Sequence, residues 1–476
     1  MRTKPLLAAI LCSTAVLGVS GLTAVPASAA PSGLKGDFNG DGYADLAVGM
    51  PKATVDGSTT AGYVNVVWGG PQGLGHTGSV RISQSSAGVP GTAEAGDQFG
   101  TAVASADLNG DGYADLAVTA PGERLKDTGT DHEGTATVVR GSAAGFSGGV
   151  TAAKGSWDGR LGQEIAIGDF DHDGAKDLAL ATAGNGQGGA ALLRRGPLTA
   201  GSPEDLSLIW TYAAGGARAM TTGDFDGDGT DDLAVTYKGM EASGTHVLSR
   251  GASGRWQPGW NTGDYGSDIA TGDFDGDGTA DLAIGEVQAN PEADGTYCQD
   301  RLGGAIATVY GKQGTALGGK VSCTTQSSPY VSGTAEPEDN FGGSLAVANL
   351  DRDSIDELIV GVSHEAVGTA QDAGSYLWLA AGQDGTLLGP AFTQNSADVE
   401  GTAEAGDLFG GDVATGDYNG DGYPDIAAGA PGENARSGGV WFDASREEGE
   451  QPPVTSTTPA KLGLSGAVEY GAELGR

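Results

Sequence analysis

Along this chain the apolar residues fall in short runs separated by polar, Gly-rich turns. "YVNVVWG" from Tyr63, "TATVVRG" from Thr135, "THVLSRG" from Thr245, "AIATVYG" from Ala305 and "SYLWLAAG" from Ser375 are rich in β-branched and aromatic residues. Their brevity and composition predict strands. Each is followed by a weaker run, as in "SVRISQ" from Ser79 and "KVSCTTQ" from Lys320, and preceded by an apolar run such as "DLAVG" from Asp45. Past the first thirty or so residues, no long stretch shows helical periodicity.

The runs belong to a larger unit that recurs seven times. "DFNGDGYADLAVG" from Asp37, "DLNGDGYADLAVT" from Asp107 and "DFDHDGAKDLALA" from Asp169 are its first acidic segments. "DFDGDGTDDLAVT" from Asp224, "DFDGDGTADLAIG" from Asp273, "NLDRDSIDELIVG" from Asn349 and "DYNGDGYPDIAAG" from Asp417 complete the set. Eight residues before the loop stand Phe99, Leu161, Tyr265, Phe341 and Phe409, each followed by Gly. Four residues after these come Val103, Ile165, Ile269, Leu345 and Val413. The copy before Asp224 has Gly216 and Ala217 in the aromatic-Gly slots. Three copies carry a longer lead-in: "GTAEAGDQFG" at Gly91, "GTAEPEDNFG" at Gly333 and "GTAEAGDLFG" at Gly401.

Self-similarity at this period decides the architecture before any local reading. Four antiparallel strands per unit, seven times over, predict an all-β fold, a seven-bladed β-propeller occupying 30–476. An open solenoid would instead need capping repeats. The termini point to closure. The first copy has only Ala29 in its aromatic slot, whereas "EYGAELGR" at the other end supplies Tyr470-Gly471 and Leu474 at the same offset. The segment 464–476 is therefore expected to complete the first blade as a closing strand, with Pro- and Thr-rich 449–461 as an exposed linker.

Composition narrows the function. A formal charge of −37, with only 25 Lys and Arg, repels phosphate backbones and anionic lipid, so no nucleic-acid or electrostatic membrane partner is expected. Residues 1–29 read as a signal peptide: Arg2 and Lys4, an apolar core from Leu6 to Val19, and Ala27-Ser28-Ala29 as the cleavage site. The protein is expected to be secreted and extracellular, without a membrane span, and monomeric. Cys298 and Cys323 are then expected as a disulfide, with two buried free thiols the alternative.

Numbered from its first acid, the loop carries Asp, Asn or Glu at positions 1, 3, 5 and 9. The candidate ligands are Asp37, Asn39, Asp41 and Asp45; Asp107, Asn109, Asp111 and Asp115; and Asp169, Asp171, Asp173 and Asp177. They continue with Asp224, Asp226, Asp228 and Asp232; Asp273, Asp275, Asp277 and Asp281; Asn349, Asp351, Asp353 and Glu357; and Asp417, Asn419, Asp421 and Asp425. Two carboxylates about 4 Å apart repel by roughly 4 kcal/mol at an effective dielectric of 20, and a bound cation reverses the sign. Hard oxygen donors without sulfur select Ca2+, in up to seven sites. The sixth, with Asn349 first, Ser354 in place of Gly and the longer Glu357, is expected to bind weakly or not at all. His172, at position 4 of the third loop, is expected to point outward into solvent. An EF-hand needs an acid at position 12, which here is apolar (Val48, Val118, Leu180, Val235, Ile284, Val360, Ala428), so the loop feeds a strand.

"DQFGTAVASADLNGDGYADLAVTAPGE" from Asp97 and "DLFGGDVATGDYNGDGYPDIAAGAPGE" from Asp407 resemble FG-GAP repeats, the units of the integrin alpha-chain propeller. The resemblance implies seven blades, calcium in loops on one face, and ligand or partner binding through the opposite face, often in adhesion. It is similar to an isolated, exported propeller of bacterial type. No Gly-x-Ser-x-Gly elbow or His-Glu-x-x-His occurs, and the 5 His are scattered. A non-catalytic scaffold for a protein or cell-surface ligand is the expected function. A polysaccharide-binding module, using Trp157, Trp256 and Trp260, and a propeller-based hydrolase or lyase are the alternatives.

Overall fold

A computed structural model describes residues 32–125, 132–156, 158–183, 188–202, 205–212, 215–239, 243–251, 254–286, 297–299, 301–318, 320–381, 387–444, 452–464 and 468–475. Residues 1–29, expected as a signal peptide, and Trp157 lie outside them. The described strands form seven antiparallel sheets, each built from consecutive segments. In blade 2 the order from the axis outward is Val103–Ala106, Asp115–Ala120, Thr135–Ser142 and Gly145–Lys154. Blades 3, 4, 5 and 7 repeat this four-strand order, and in blade 6 both Leu387–Leu388 and Ala391–Phe392 pair with Ser375–Ala381. The second strand of each blade is buried along its whole length or nearly so, as in "DLAIG", Asp281–Gly285. It lies between two other strands and faces a neighbouring blade on each side, which is why its sequence is apolar throughout rather than alternating. The inner strands enclose a central channel of about 1050 Å³, lined by Val103, Ile165, Ile269, Leu345 and Leu474 among others.

The aromatic-Gly element is a wedge between blades. Phe409 is fully buried and meets Tyr376 of blade 6 and Trp441 of blade 7 edge-on, with centroids 5.5 and 5.4 Å away. Its N–H donates to Ala373 O (2.9 Å). The following residue of blade 6, Gly374, has φ +86, and a Cβ there would lie 2.2 Å from Phe409 O, so only Gly admits this approach. Tyr470 makes the same contact with Gly438, and its N–H donates to Ser437 O (3.1 Å). Leu474 then pairs antiparallel with Val48. Gly49 N–H donates to Glu473 O and Gly475 N–H to Ala47 O. The ring is thus closed by a C-terminal strand that takes the inner place in blade 1, beside Leu46–Met50, Tyr63–Val67 and Ser79–Ile82.

One expectation needs correcting. The 449–461 segment is not only a tether: Thr455–Thr457 is the outer strand of blade 7, and Val454 is buried against it. Blade 4, which lacks the aromatic wedge, instead extends its inner strand back over Gly215–Gly223, with a register shift between Ala217 and Ala219. The Cys298–Cys323 disulfide is formed, with Cα atoms 5.6 Å apart, and ties the segment before Ile306–Val309 to the outer strand of blade 5. Among the described residues, no helix is long and apolar enough to cross a membrane.

Candidate metal centres at the hairpin corners

In blades 2 to 7 each acidic loop is the hairpin corner between the inner and second strands, and in blade 1 it leads into the second strand Leu46–Met50, so all seven corners lie on one rim. The position-1 carboxylate organises the turn. Asp273 Oδ1 accepts the N–H groups of Gly276 (2.7 Å) and Asp277 (3.1 Å), and Oδ2 that of Gly278 (2.8 Å). Asp37 and Asp107 do the same in their loops. Position 5 accepts from position 7, as in Thr279 N–H to Asp277 Oδ1 (2.8 Å). These bonds fold side chains 1, 3 and 5 toward a common point.

Position 9 works from behind. Asp281 is buried and accepts Phe274 N–H (2.8 Å) and Gly311 N–H (2.7 Å), clasping the corner to the end of the third strand. Asp45 repeats this with Phe38 and Gly69, and Asp115 with Leu108 and Gly141. Burial, with added repulsion from the other loop acids, pushes these carboxyls up: Asp45, Asp232 and Asp425 to about 8, Asp115 and Asp281 to about 7, and Asp177 to about 6.

Carboxylate oxygens converge in three consecutive corners. Asp169, Asp171 and Asp173 lie within 4.8 Å of one another, as do Asp224, Asp226 and Asp228, and Asp273, Asp275 and Asp281. Asp177 and Asp232 stand outside their groups. In the Asn-bearing corners the amide turns onto an acid: Asn39 Nδ2 donates to Asp41 (3.0 Å), Asn109 to Asp115 (3.0 Å) and Asn419 to Asp425 (3.0 Å). Several corner oxygens are buried without a well-aligned donor: Asp171 Oδ1, Asp177 Oδ2, Asp232 Oδ2 and Asp417 Oδ1. Orphaned acceptors in or beside converged carboxylates fit a hard cation.

The sixth corner differs, as its sequence predicts. Asn349 Nδ2 donates to Asp353 O (2.8 Å) and Asn349 Oδ1 has no donor, while Asp353, accepting Ile355 N–H (2.6 Å), and Glu357, accepting Leu350 N–H (2.7 Å), keep the pattern. Arg352 reaches into the seventh corner, where its guanidinium lies 3.8 Å from the Tyr423 ring centroid and donates to Gly422 O. His172 occupies the same position in the third corner; it is exposed as expected, yet its Nδ1 meets Gly229 O of the fourth (2.5 Å). Corners are also joined through the backbone: Ala280 N–H donates to Asp224 O (3.0 Å) and Ala44 N–H to Asp417 O (2.8 Å).

Sequence reading missed two residues. Arg250 (3.2 Å) and Arg195 (3.4 Å) both bridge to Asp171 Oδ2, so the third corner already carries positive charge. Each precedes Gly at the end of a third-strand run, a recurring position whose proximity to a corner only the hairpin geometry reveals. Two of the Trp residues are engaged: Trp256 packs edge-on against Phe170 (5.4 Å) and Trp260 stacks on Tyr297 (6.2 Å).

A closed ring of seven antiparallel blades with an acidic corner on each defines a β-propeller of the acidic-corner class. FG-GAP repeats match residues 29–67, 99–139, 265–296 and 409–442, and an FG-GAP-like repeat matches 169–235. Phosphatidylinositol-glycan-specific phospholipase D of Rattus norvegicus is 31% identical over 149 residues, 31% of this chain and 17% of that protein. Integrin alpha-V of Gallus gallus is 33% identical over 160 residues, 32% of this chain and 13% of that protein. Integrin alpha-5 of Xenopus laevis is 28% identical over 227 residues, 44% of this chain and 20% of that protein. The chain thus spans a fifth or less of the length of these relatives. The chain carries FG-GAP repeats, and its propeller is integrin-alpha-like.

Proposed function

We propose that this protein is an exported, calcium-loaded propeller serving as a non-catalytic binding scaffold for a protein or cell-surface ligand. The observation that carries the reading is the convergence of three carboxylates in each of three consecutive corners, with orphaned acceptors in two of them and in the seventh. Calcium would be held by the position 1, 3, 5 and 9 oxygens and would neutralise the rim where like charges are densest. Ions there stiffen the hairpins, leaving the loops of the opposite rim on a rigid frame, where ligand contact is least constrained by the fold. Export of 30–476 after loss of 1–29 is part of this reading, in keeping with the disulfide. Closure by 464–476 makes the scaffold one cooperative body, so deleting Leu464–Arg476 should abolish a single sharp melting transition.

The test is capture of partners from culture medium and cell surfaces on the immobilised protein, with calcium and with chelator. The proposal expects a protein or cell-surface ligand retained in calcium and released by chelator. Failure to retain any ligand in calcium would remove the scaffold reading, and turnover of a captured ligand would move it to an enzyme.

A further inference from the structure

The three extended lead-ins build a second acidic constellation, on the rim opposite the hairpin corners. Gln84, Glu94, Asp97 and Glu123 recur at identical offsets as Gln326, Glu336, Asp339 and Glu365, and as Gln394, Glu404, Asp407 and Glu433. In each, the Gln follows the outer strand of one blade while Asp and the last Glu belong to the next, so the set bridges the seams 1/2, 5/6 and 6/7. The geometry repeats with the sequence. Gln326 Nε2 donates to Glu365 (2.6 Å), Gln394 Nε2 to Glu433 (2.6 Å), and Gln84 Nε2 to Glu123. The Asp accepts the N–H of Glu94, Glu336 or Glu404 at 2.6 Å.

The independent observation is the Gln oxygen. Gln84 and Gln326 are 5% exposed and Gln394 is 2% exposed, and in all three copies Oε1 is buried without a donor. An amide places its oxygen about 2.3 Å from its nitrogen, so each Oε1 lies within about 5 Å of the Glu carboxylate that its own Nε2 touches. Asp97, fully buried, adds an orphaned Oδ1. A buried acceptor without a donor is destabilising, and its recurrence in all three copies calls for a shared partner. In the third set, the charge acting on Asp407 is that of Glu404, and those acting on Glu433 are those of Asp407 and Glu404, all negative. The first set also feels Arg124 and His132, and the second His364. At the seam 7/1, which has no such set, Glu469 is instead paired with Lys52 and Arg436.

We propose that each Gln–Asp–Glu set is a seam site for a hard divalent cation, calcium by its donors, distinct from the hairpin-corner sites. The Gln Oε1, Asp and Glu oxygens are the protein ligands, water completes the shell, and the ion joins consecutive blades.

Counting calcium on the full-length mature protein tests this, by elemental analysis after equilibrium dialysis. Glu433→Gln should lose one calcium per molecule, and the triple variant Glu123→Gln, Glu365→Gln, Glu433→Gln should lose three. Should the triple variant fail to fold, Gln394→Lys decides, because the ammonium supplies its own cation at the seam. It should stay folded and bind one ion fewer. Terbium gives a local readout: Trp441 and Gln394 both lie within 3.6 Å of a Cβ placed on Gly401, so terbium in this site should glow under tryptophan excitation and dim in Gln394→Lys. An unchanged calcium count and unchanged terbium emission in folded Gln394→Lys would overturn the proposal. Loss of calcium by Asp275→Ala alone would bear only on the corners.

Discussion

The fifth and sixth hairpin corners are neighbours on the ring and solve one folding problem in two ways. Both clasp the corner from behind with a buried acid, Asp281 on Phe274 N–H and Glu357 on Leu350 N–H. In front they diverge. The fifth gathers Asp273, Asp275 and Asp281 within 4.8 Å, with the Lys320 charge acting on Asp275 from outside that group. The sixth replaces the first acid by Asn349, bonded to Asp353 O, and sends Arg352 across to the Tyr423 ring. The ninth position therefore shapes the hairpin in both, whereas the front of the loop differs in the negative charge it gathers. Repeats that fold alike need not bind alike.

That division can be broken at either end. The largest effect is expected at the ninth position: Asp281→Ala strands two buried N–H donors and should cost about 3 kcal/mol in chelator, and more in calcium where an ion ligand is lost as well, read by denaturant unfolding. Glu357→Ala should cost less, roughly 1–2 kcal/mol, since one such bond is lost. Next comes the third position. With calcium at a hundredfold excess over its dissociation constant, Asp275→Ala should lose about 2.7 kcal/mol of ligand-linked stability and almost nothing in chelator. Asp351→Ala should be indifferent to calcium.

Acidity gives a smaller, signed effect. In chelator the ninth-position acids titrate above the usual carboxylate range, Asp45 and Asp425 near 8. The folded state then binds more protons than the unfolded one, whose carboxyls titrate near 4. Their contribution is full below about pH 4 and is lost as pH rises through 8, so the metal-free protein should melt several degrees higher at pH 5.5 than at pH 8. Saturating calcium, holding the acids ionised, should flatten that dependence. The smallest effect belongs to Arg352→Ala, about 0.5–1 kcal/mol for an exposed cation–π contact, equal in calcium and chelator.

Much of this was legible because the repeat reports itself seven times. The strand runs at Tyr63, Thr135 and Ser375 fall on strands, and Tyr470-Gly471 with Leu474 identified the closing strand from its spacing alone. What escaped reading comes from contacts between blades. Arg250 meets Asp171, and Arg352 meets Tyr423, across about 70–80 residues of chain, and no local pattern encodes those distances. Thr455–Thr457 was hidden by its Pro-rich surroundings: an outer strand needs hydrogen bonds on one side only, so its sequence carries little apolar signal. The orphaned Gln oxygens at the seams are a property of packing, invisible until burial is known.

The most direct test is the melting temperature of the mature protein in saturating calcium and after exhaustive chelation, at one pH near 8. Acid clusters that depend on ions to hold the corners predict a melting temperature lower by ten degrees or more in chelator, restored by returning calcium. Identical melting curves in the two conditions would contradict the account.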